Sequence, residues 1–464
     1  MNGDRDWSVA PTFLWFGAAM CVVLAAFDHS PRAVADRLAK HTAPKQLPGA
    51  AGPLPAAPPV EVADATDEDT ATKPSTAPVR DAHAAAAGSI EDTCVDGTPD
   101  ACKRWAMDGF YQAIAGEKAG KLDRPVRISW YGDSVVATDA IPGRLRSRMQ
   151  TELGDGGPGY VFVVPPHRFC GHDSITRGQS GTWLPHAIST LQVADGLYGA
   201  GGSTAETEDG RATIKLVAGK VTRAELYYLS QPHGGSVAIT ADGTEVARAD
   251  TKAEVKAPGY AVATIDGGAA KFDVVASGRV RVFGLDLENA KGAVVDNLGI
   301  ISVNVKSFDH ANTAHFTDEL AHRSADLVMI MIGANEAQWL GPKDQDTKDY
   351  AAHYEKILAP IRKARPEASC LVVSPTDQAE EKDGAYPSRP VMPILVAAQR
   401  AAAKAQGCAF FSTYDWMGGK GSAEKWFRHG LVGTDFQHLS RKGANKLADA
   451  VFTSLMAGNA QYGK

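Results

Sequence analysis

Hydrophobic positions along the chain fall into two rhythms. Val126 to Tyr131, Leu327 to Ile332, Cys370 to Ser374 and Cys408 to Thr413 are short, nearly unbroken apolar runs. Runs of that kind suit strands buried on both faces of a parallel sheet. Between and after them the period lengthens to that of a helix. Ile141, Leu145, Met149 and Leu153 recur every four residues, Val391 to Ala405 repeats the pattern, and Leu447, Val451 and Leu455 share one face of a segment from Lys442 to Leu455. Strands alternating with helices predict a doubly wound, flavodoxin-like parallel α/β sheet.

The middle of the chain follows neither rhythm for long. Short β-like runs occupy Ala212 to Val217, Arg223 to Leu229, Ser236 to Thr240, Glu245 to Ala249, Tyr260 to Ile265, Lys271 to Val275 and Arg279 to Leu285. Asp242-Gly243 and Asp266-Gly267 read as hairpin turns between them. Regularly spaced short strands predict an all-β sandwich or jelly roll, inserted over 180–293 into an α/β domain that spans 91–179 and 294–464. Tyr227, Tyr228 and Tyr260 are sandwich core or sugar-stacking rings; as neighbours on a strand, Tyr227 and Tyr228 face opposite sides, so a simple sandwich core takes at most one of them.

The first residues differ from the rest. Thr12 to Phe27 is an uncharged run of 16, which fits a signal peptide or a short signal anchor. Its poor cleavage site favours an uncleaved anchor over 1–30, with Cys21 an apolar member of it. An Ala/Pro-rich tether follows over 31–90, with eight prolines between Pro44 and Pro78. An export segment and a tether place the folded part in the cell envelope or periplasm, held to the inner membrane by the N-terminal segment alone. In an oxidising compartment Cys94 and Cys102, flanking an Asp-Gly-Thr-Pro turn, are predicted to close a small disulfide loop. Cys370 and Cys408 each open a strand-like run and either bridge or stay buried; strain across adjacent parallel strands favours two buried thiols. At 464 residues and 44% hydrophobic the chain carries a large core. Its net charge of −6 and lack of a basic run argue against nucleic acid.

Three segments carry chemistry. Gly132-Asp133-Ser134 ends the first apolar strand and precedes a helix, where open α/β sheets present reactive groups. Gly333-Ala334-Asn335-Glu336 ends the Leu327 strand, and an asparagine there can aim its amide at a developing oxyanion. Asp435-Phe436-Gln437-His438, before the last helix, offers a carboxylate and an imidazole three residues apart. A serine nucleophile needs a base, a carboxylate to orient it and oxyanion donors, and the chain order brings all of these to one sheet edge. The glycines of 154–159 follow a helix rather than precede one, so they read as a turn and not a phosphate loop. His310 and His315 lack a partner motif for metal and are predicted at surface helix positions.

Those segments resemble the first, third and fifth blocks of the SGNH, or GDSL, hydrolase superfamily. Within it the chain looks most like envelope peptidoglycan O-acetylesterases with an inserted carbohydrate-binding-like jelly roll. Gln231 to Ser236 and Trp416 to Gly419 add to the likeness, which covers roughly 120–456. The resemblance implies Ser134 as nucleophile, His438 as base and Asp435 as its orienting carboxylate. Asn335 and the N–H groups of Ser134 and Ser302 are then the oxyanion donors. It implies no cofactor and no metal, and an O-acetylated glycan, peptidoglycan above all, as substrate. In one respect the chain departs from the family: Ser302 stands where the second block has a glycine, with Gly299 three residues early. Two other readings stay open: a glycan O-acetyltransferase with the same triad, and a tethered glycan-binding protein that no longer turns over. A lipase is disfavoured, since no long apolar lid pattern follows the anchor.

Overall fold

The computed structural model describes residues 88–341 and 344–462, the side chains of 344–346 excepted. The predicted anchor, Cys21 and nearly all of the tether lie outside the described residues. Among the described residues no helix is long and apolar enough to cross a membrane.

Six strands form the central sheet, in the order Ile90–Glu91, Ala409–Phe411, Ser369–Val373, Leu327–Met331, Val126–Gly132, Ala293–Gly299. The last five run parallel, and Ile90–Glu91 pairs antiparallel on the edge strand. Numbered along the chain, the parallel strands lie 5-4-3-1-2, the doubly wound flavodoxin-like order that the sequence predicts. Alternate residues of each strand face opposite ways, so one short segment feeds two cores. Ile128, Trp130, Leu327, Met329, Leu371 and Val373 enter the core beneath helices Ala140–Leu153 and Arg441–Asn459. Tyr131, Val328, Ile330 and Val372 enter the other, with helices Thr313–Arg323, Asp344–Ala364 and Met392–Ala405.

Two antiparallel sheets share a separate apolar core that includes Leu226, Val282, Ile214, Ile239 and Phe272. One has the order Ala257–Ala269, Val221–Ser230, Val280–Glu288, Ser203–Thr207, Leu184–Ala187, with Gly159–Val161 also on Val280–Glu288. The other has the order Thr244–Asp250, Ser236–Ala241, Lys271–Ser277, Arg211–Leu216, Ile175–Ser180. Strands of this unit therefore begin ahead of residue 180. Asp242 and Gly243 take φ of 47° and 92° and make the expected hairpin. Asp266-Gly267 does not. It lies inside strand Ala257–Ala269, where the register against Val221–Ser230 slips and Gly267 and Gly268 take positive φ. Glycines with positive φ serve a bulge as well as a turn, and here pairing on both sides selects the bulge.

Both Tyr227 and Tyr228 are buried, on opposite faces of one strand. Tyr228 belongs to the core between the two antiparallel sheets. Tyr227 points the other way, edge-on to Tyr160 at 5.1 Å and Tyr260 at 5.2 Å, in the core shared with the parallel sheet. The outer face of this sheet is thus covered around Tyr227, while Val262 and Thr264 on its edge strand stay exposed. Tyr260 lies flat on His322 of helix Thr313–Arg323, at 3.4 Å and 4°. Beside these rings Arg323 reaches Asp296 at 2.7 Å, Glu288 at 2.8 Å and Asp286 at 3.1 Å, while Arg127 holds Glu288 at 2.5 Å. Burial, only partly answered by Arg323, pushes the Asp286 carboxyl up. Two guanidinium groups thus face three buried carboxyl groups.

Three further expectations meet the structure here. Cys94 and Cys102 are disulfide-bonded, as predicted. Cys370 and Cys408 are also bonded, not free thiols. The parallel register places Leu371 opposite Ala409, so the two cysteines oppose each other with Cα atoms 4.7 Å apart, inside bridging range. His310 is exposed on the 3-10 helix Val305–His310, but His315 is not at the surface. It is buried against the Phe283 ring at 5.3 Å, since the face of its helix is covered by the antiparallel unit.

Candidate active site

Strand Val126–Gly132 ends at the switch point of the sheet, and the four-residue helix Ser134–Ala137 starts two residues later. That helix sits hard against the sheet. A Cβ on Gly132 would meet Val136 Cγ2 at 2.2 Å, and one on Gly299, its neighbour in register, would meet the Ala137 nitrogen at 2.3 Å. Only glycine permits this approach at either position. Asp133 is buried and caps the helix, its Oδ1 accepting from Val135 N–H at 3.0 Å. Its Oδ2 accepts from Ala334 N–H at 3.3 Å, joining the first strand tip to the third. Burial, partly offset by those N–H groups, raises Asp133 to about 6.

Ser134 Oγ lies 2.7 Å from His438 Nε2, and His438 Nδ1 lies 2.6 Å from Asp435 Oδ2. Asp435 Oδ1 accepts from the N–H groups of Gln437 and His438, both at 3.0 Å. Burial alone would raise Asp435. The backbone and imidazole donors of His438 and the Gln437 N–H outweigh it and hold the carboxylate below its ordinary value. The loop that carries the pair is pinned by Phe436, which takes a positive φ of 53° and packs on Tyr386 and Phe427 at 4.4 and 4.7 Å. Gln338 bonds both Gln437, at 2.9 Å, and Gln378, at 2.7 Å, and Gln378 in turn donates to Ala334 O at 2.9 Å. A chain of amides therefore ties the His438 loop to the Asn335 loop.

Asn335 Nδ2 donates one hydrogen to Val303 O at 2.7 Å, leaving its second N–H for another acceptor. The partner segment is the loop after strand Ala293–Gly299, closed by Val303 N–H to Ile300 O at 3.3 Å. Ser302 is the third residue of that turn, with φ 64°. A turn of this form demands positive φ there, which is the physical reason for a glycine. Serine occupies the same backbone shape at a cost of about 1–2 kcal/mol, and its N–H is kept. That N–H has no acceptor among the described residues. The Ser134 N–H, in the first turn of its helix, has no intrahelical acceptor either. Glu336, wholly buried, reaches back to the same loop and accepts from Val305 N–H at 2.6 Å. Burial raises it to about 7, with the Asp133 charge adding to the effect.

All five residues singled out in the sequence thus belong to one edge of the sheet, and three of them form a hydrogen-bonded relay. Asp133, Glu336 and the glutamine chain were not legible as parts of it. Asp133 and Glu336 lie inside motifs already noticed, but a buried carboxyl that ties one loop to another has no spacing of its own.

The GDSL-like lipase/acylhydrolase family model matches residues 273–446, a stretch that includes Ser302, Asn335, Asp435 and His438 and stops short of Ser134. A solved peptidoglycan O-acetylesterase is similar in fold, with 22% identity and a TM-score of 0.65 over 76% of this chain and 96% of that one. Weaker likenesses include a Bacillus subtilis protein (13% identity, TM-score 0.32, covering 60% of this chain and 89% of that one). An acetyl xylan esterase covers 35% of this chain and 80% of its own, at 15% identity and a TM-score of 0.27. No curated protein matches the chain in sequence.

Proposed function

On the premise that the chain is an SGNH/GDSL-type ester hydrolase, we propose that it removes O-acetyl groups from a cell-envelope polysaccharide, peptidoglycan first among them, through an acyl-enzyme on Ser134. The observation that carries this reading is the unbroken relay Ser134–His438–Asp435, at 2.7 and 2.6 Å. His438 Nε2 takes the Ser134 proton as Oγ attacks the ester carbonyl, while Asp435 keeps the imidazole in orientation and balances its charge. The oxyanion meets the N–H groups of Ser134 and Ser302 and the free amide hydrogen of Asn335. His438 then protonates the departing sugar oxygen. Water, deprotonated by the same imidazole, releases acetate from Ser134. Each lost donor lowers turnover by roughly 10²–10³.

The glycan and the location have separate support. The fold is similar to that of a peptidoglycan O-acetylesterase, and the two antiparallel sheets suit a carbohydrate-binding-like jelly roll inserted in the hydrolase. Two disulfides and the apolar segment before the tether fit an exported protein anchored in the envelope.

The test is acetate release by the full chain from O-acetylated peptidoglycan, O-acetylated xylan and p-nitrophenyl acetate. Ser134→Ala is expected to lower all three by roughly 10³-fold or more with the fold intact. Activity retained by that variant refutes the assignment. Acetyl transfer to an oligosaccharide outpacing release makes the protein an acetyltransferase, and a wild-type serine that a fluorophosphonate does not label makes it a binding protein.

A further inference from the structure

Six tryptophans are described, and five of them are buried; Trp339 alone is half exposed, at 51%. It lies in an open cleft of ≈490 Å³ together with Ser189, Asn304, Lys306 and His310. Asn304 directly follows Val303, whose carbonyl holds Asn335, and Ser189 Oγ donates to Ile301 O at 2.9 Å. Trp339 is held from the other side, its N–H donating to Glu336 O at 3.1 Å while the Glu336 side chain grips Val305. The cleft therefore abuts the loop of residues 301–305, which carries the Ser302 N–H.

Its chemistry is specific. Among the described residues no acidic side chain lines it, whereas Lys306 and His310 both do. The Lys306 ammonium lies 5.6 Å from the Trp339 ring centroid and has no carboxylate partner among the described residues. A flat, half-open indole suits the apolar face of a pyranose, and a cation without a counter-ion beside it suits an anionic substituent on that sugar. The open cleft on the antiparallel unit differs, with Glu206, Glu208 and Asp209 against a single cation, Arg279, and is less suited to such a group. Phe169 is also exposed, but Arg168 lies over its ring at 4.7 Å and His167 beside it at 5.3 Å.

We infer that this cleft is a glycan subsite for a carboxylate-bearing sugar next to the acylated position, with Trp339 stacking on the ring and Lys306 pairing with the carboxylate. The inference rests on the esterase reading above and adds the residues that select the polymer. Trp339 and Lys306 are specificity residues and touch no reacting atom.

The experiment measures kcat/KM of the full chain on O-acetylated peptidoglycan strands freed of their stem peptides, whose muramoyl sugars then carry free lactyl carboxylates, on neutral O-acetylated xylan and on p-nitrophenyl acetate. Trp339→Ala is expected to lower the ratio of polymer to small-ester kcat/KM by roughly tenfold, with Trp339→Phe recovering part of it. Lys306→Gln is expected to lower the ratio of peptidoglycan to xylan by roughly threefold or more. Ratios unchanged in both variants overturn the subsite. A binding arm separates this failure from failure of the esterase reading. Full chain carrying Ser134→Ala is expected to be retained on insoluble de-O-acetylated peptidoglycan, and adding Trp339→Ala to release it. Equal retention of the two overturns the inference even where turnover is absent.

Discussion

Glu336 couples the stability of the oxyanion loop to pH, and replacing it by glutamine isolates that coupling. The carboxyl is wholly buried, with Oε1 on the Val305 N–H and Oε2 without a partner among the described residues. Burial lifts it from 4.5 in an exposed carboxyl to about 7. Because the folded value lies above the unfolded one, the native state binds this proton more tightly. Its contribution is whole below about pH 4.5 and is lost as pH rises through about 7. At about 1.4 kcal/mol for each tenfold change in proton affinity, the loss is on the order of 3 kcal/mol by pH 8.5. Glu336→Gln keeps an acceptor for Val305 and removes the titration. Urea unfolding of both proteins from pH 5 to 8.5 is the assay. The variant is expected to match the wild type within about 1 kcal/mol at the acid end and to exceed it at the alkaline end. Asp133, raised to about 6, titrates in the same direction in both proteins, and because its charge also raises Glu336 the difference reports the two carboxyls together. Parallel stability curves would refute the reasoning.

Two other perturbations reach different parts of the frame. Ser302→Gly relieves the left-handed backbone at φ 64° and keeps the N–H, so turnover on p-nitrophenyl acetate is expected within about threefold of wild type and thermal stability equal or up to about 1 kcal/mol higher. A tenfold fall in turnover would show that the serine side chain, rather than its backbone, serves the site. Arg323→Ala strands Asp296, Glu288 and Asp286 without their shared cation, and a loss of about 3–5 kcal/mol in urea unfolding is expected, shrinking toward acid pH as the carboxylates protonate. A loss below about 1 kcal/mol at pH 8 would contradict the account of the cluster.

The parallel strands and their helices could be read because each carries its own burial pattern: Leu327–Met331 is apolar throughout and Ala140–Leu153 repeats at helical spacing. Ser134, Asn335 and His438 were legible for a related reason, since each follows or precedes such an element. Strands Ile175–Ser180, Leu184–Ala187 and Ser203–Thr207 escaped notice because they hold few apolar residues, and their place is set by pairing with partners far along the chain. The Cys370–Cys408 bond, the burial of His315 and the bulge at Asp266-Gly267 share that origin. Each depends on what lies opposite, and a single segment carries no record of its neighbour. Trp339 is hidden for the converse reason: nothing in a sequence says which of several tryptophans is left open.

The sheet that carries Tyr227 and Tyr228 is covered on both sides around those two rings. One side meets its partner sheet; the other, through Tyr160, Tyr227 and Tyr260, meets the helix of Arg323. A deletion that removes the β-rich middle would therefore not yield a minimal esterase. It would bare Tyr160 and His322 and take Asp286 and Glu288 from Arg127 and Arg323, leaving Asp296 alone with two guanidinium groups, and the remnant would be expected to aggregate. Exchange of this module between related enzymes has to carry the seam with it, and the portable piece is larger than any boundary drawn from strand counts.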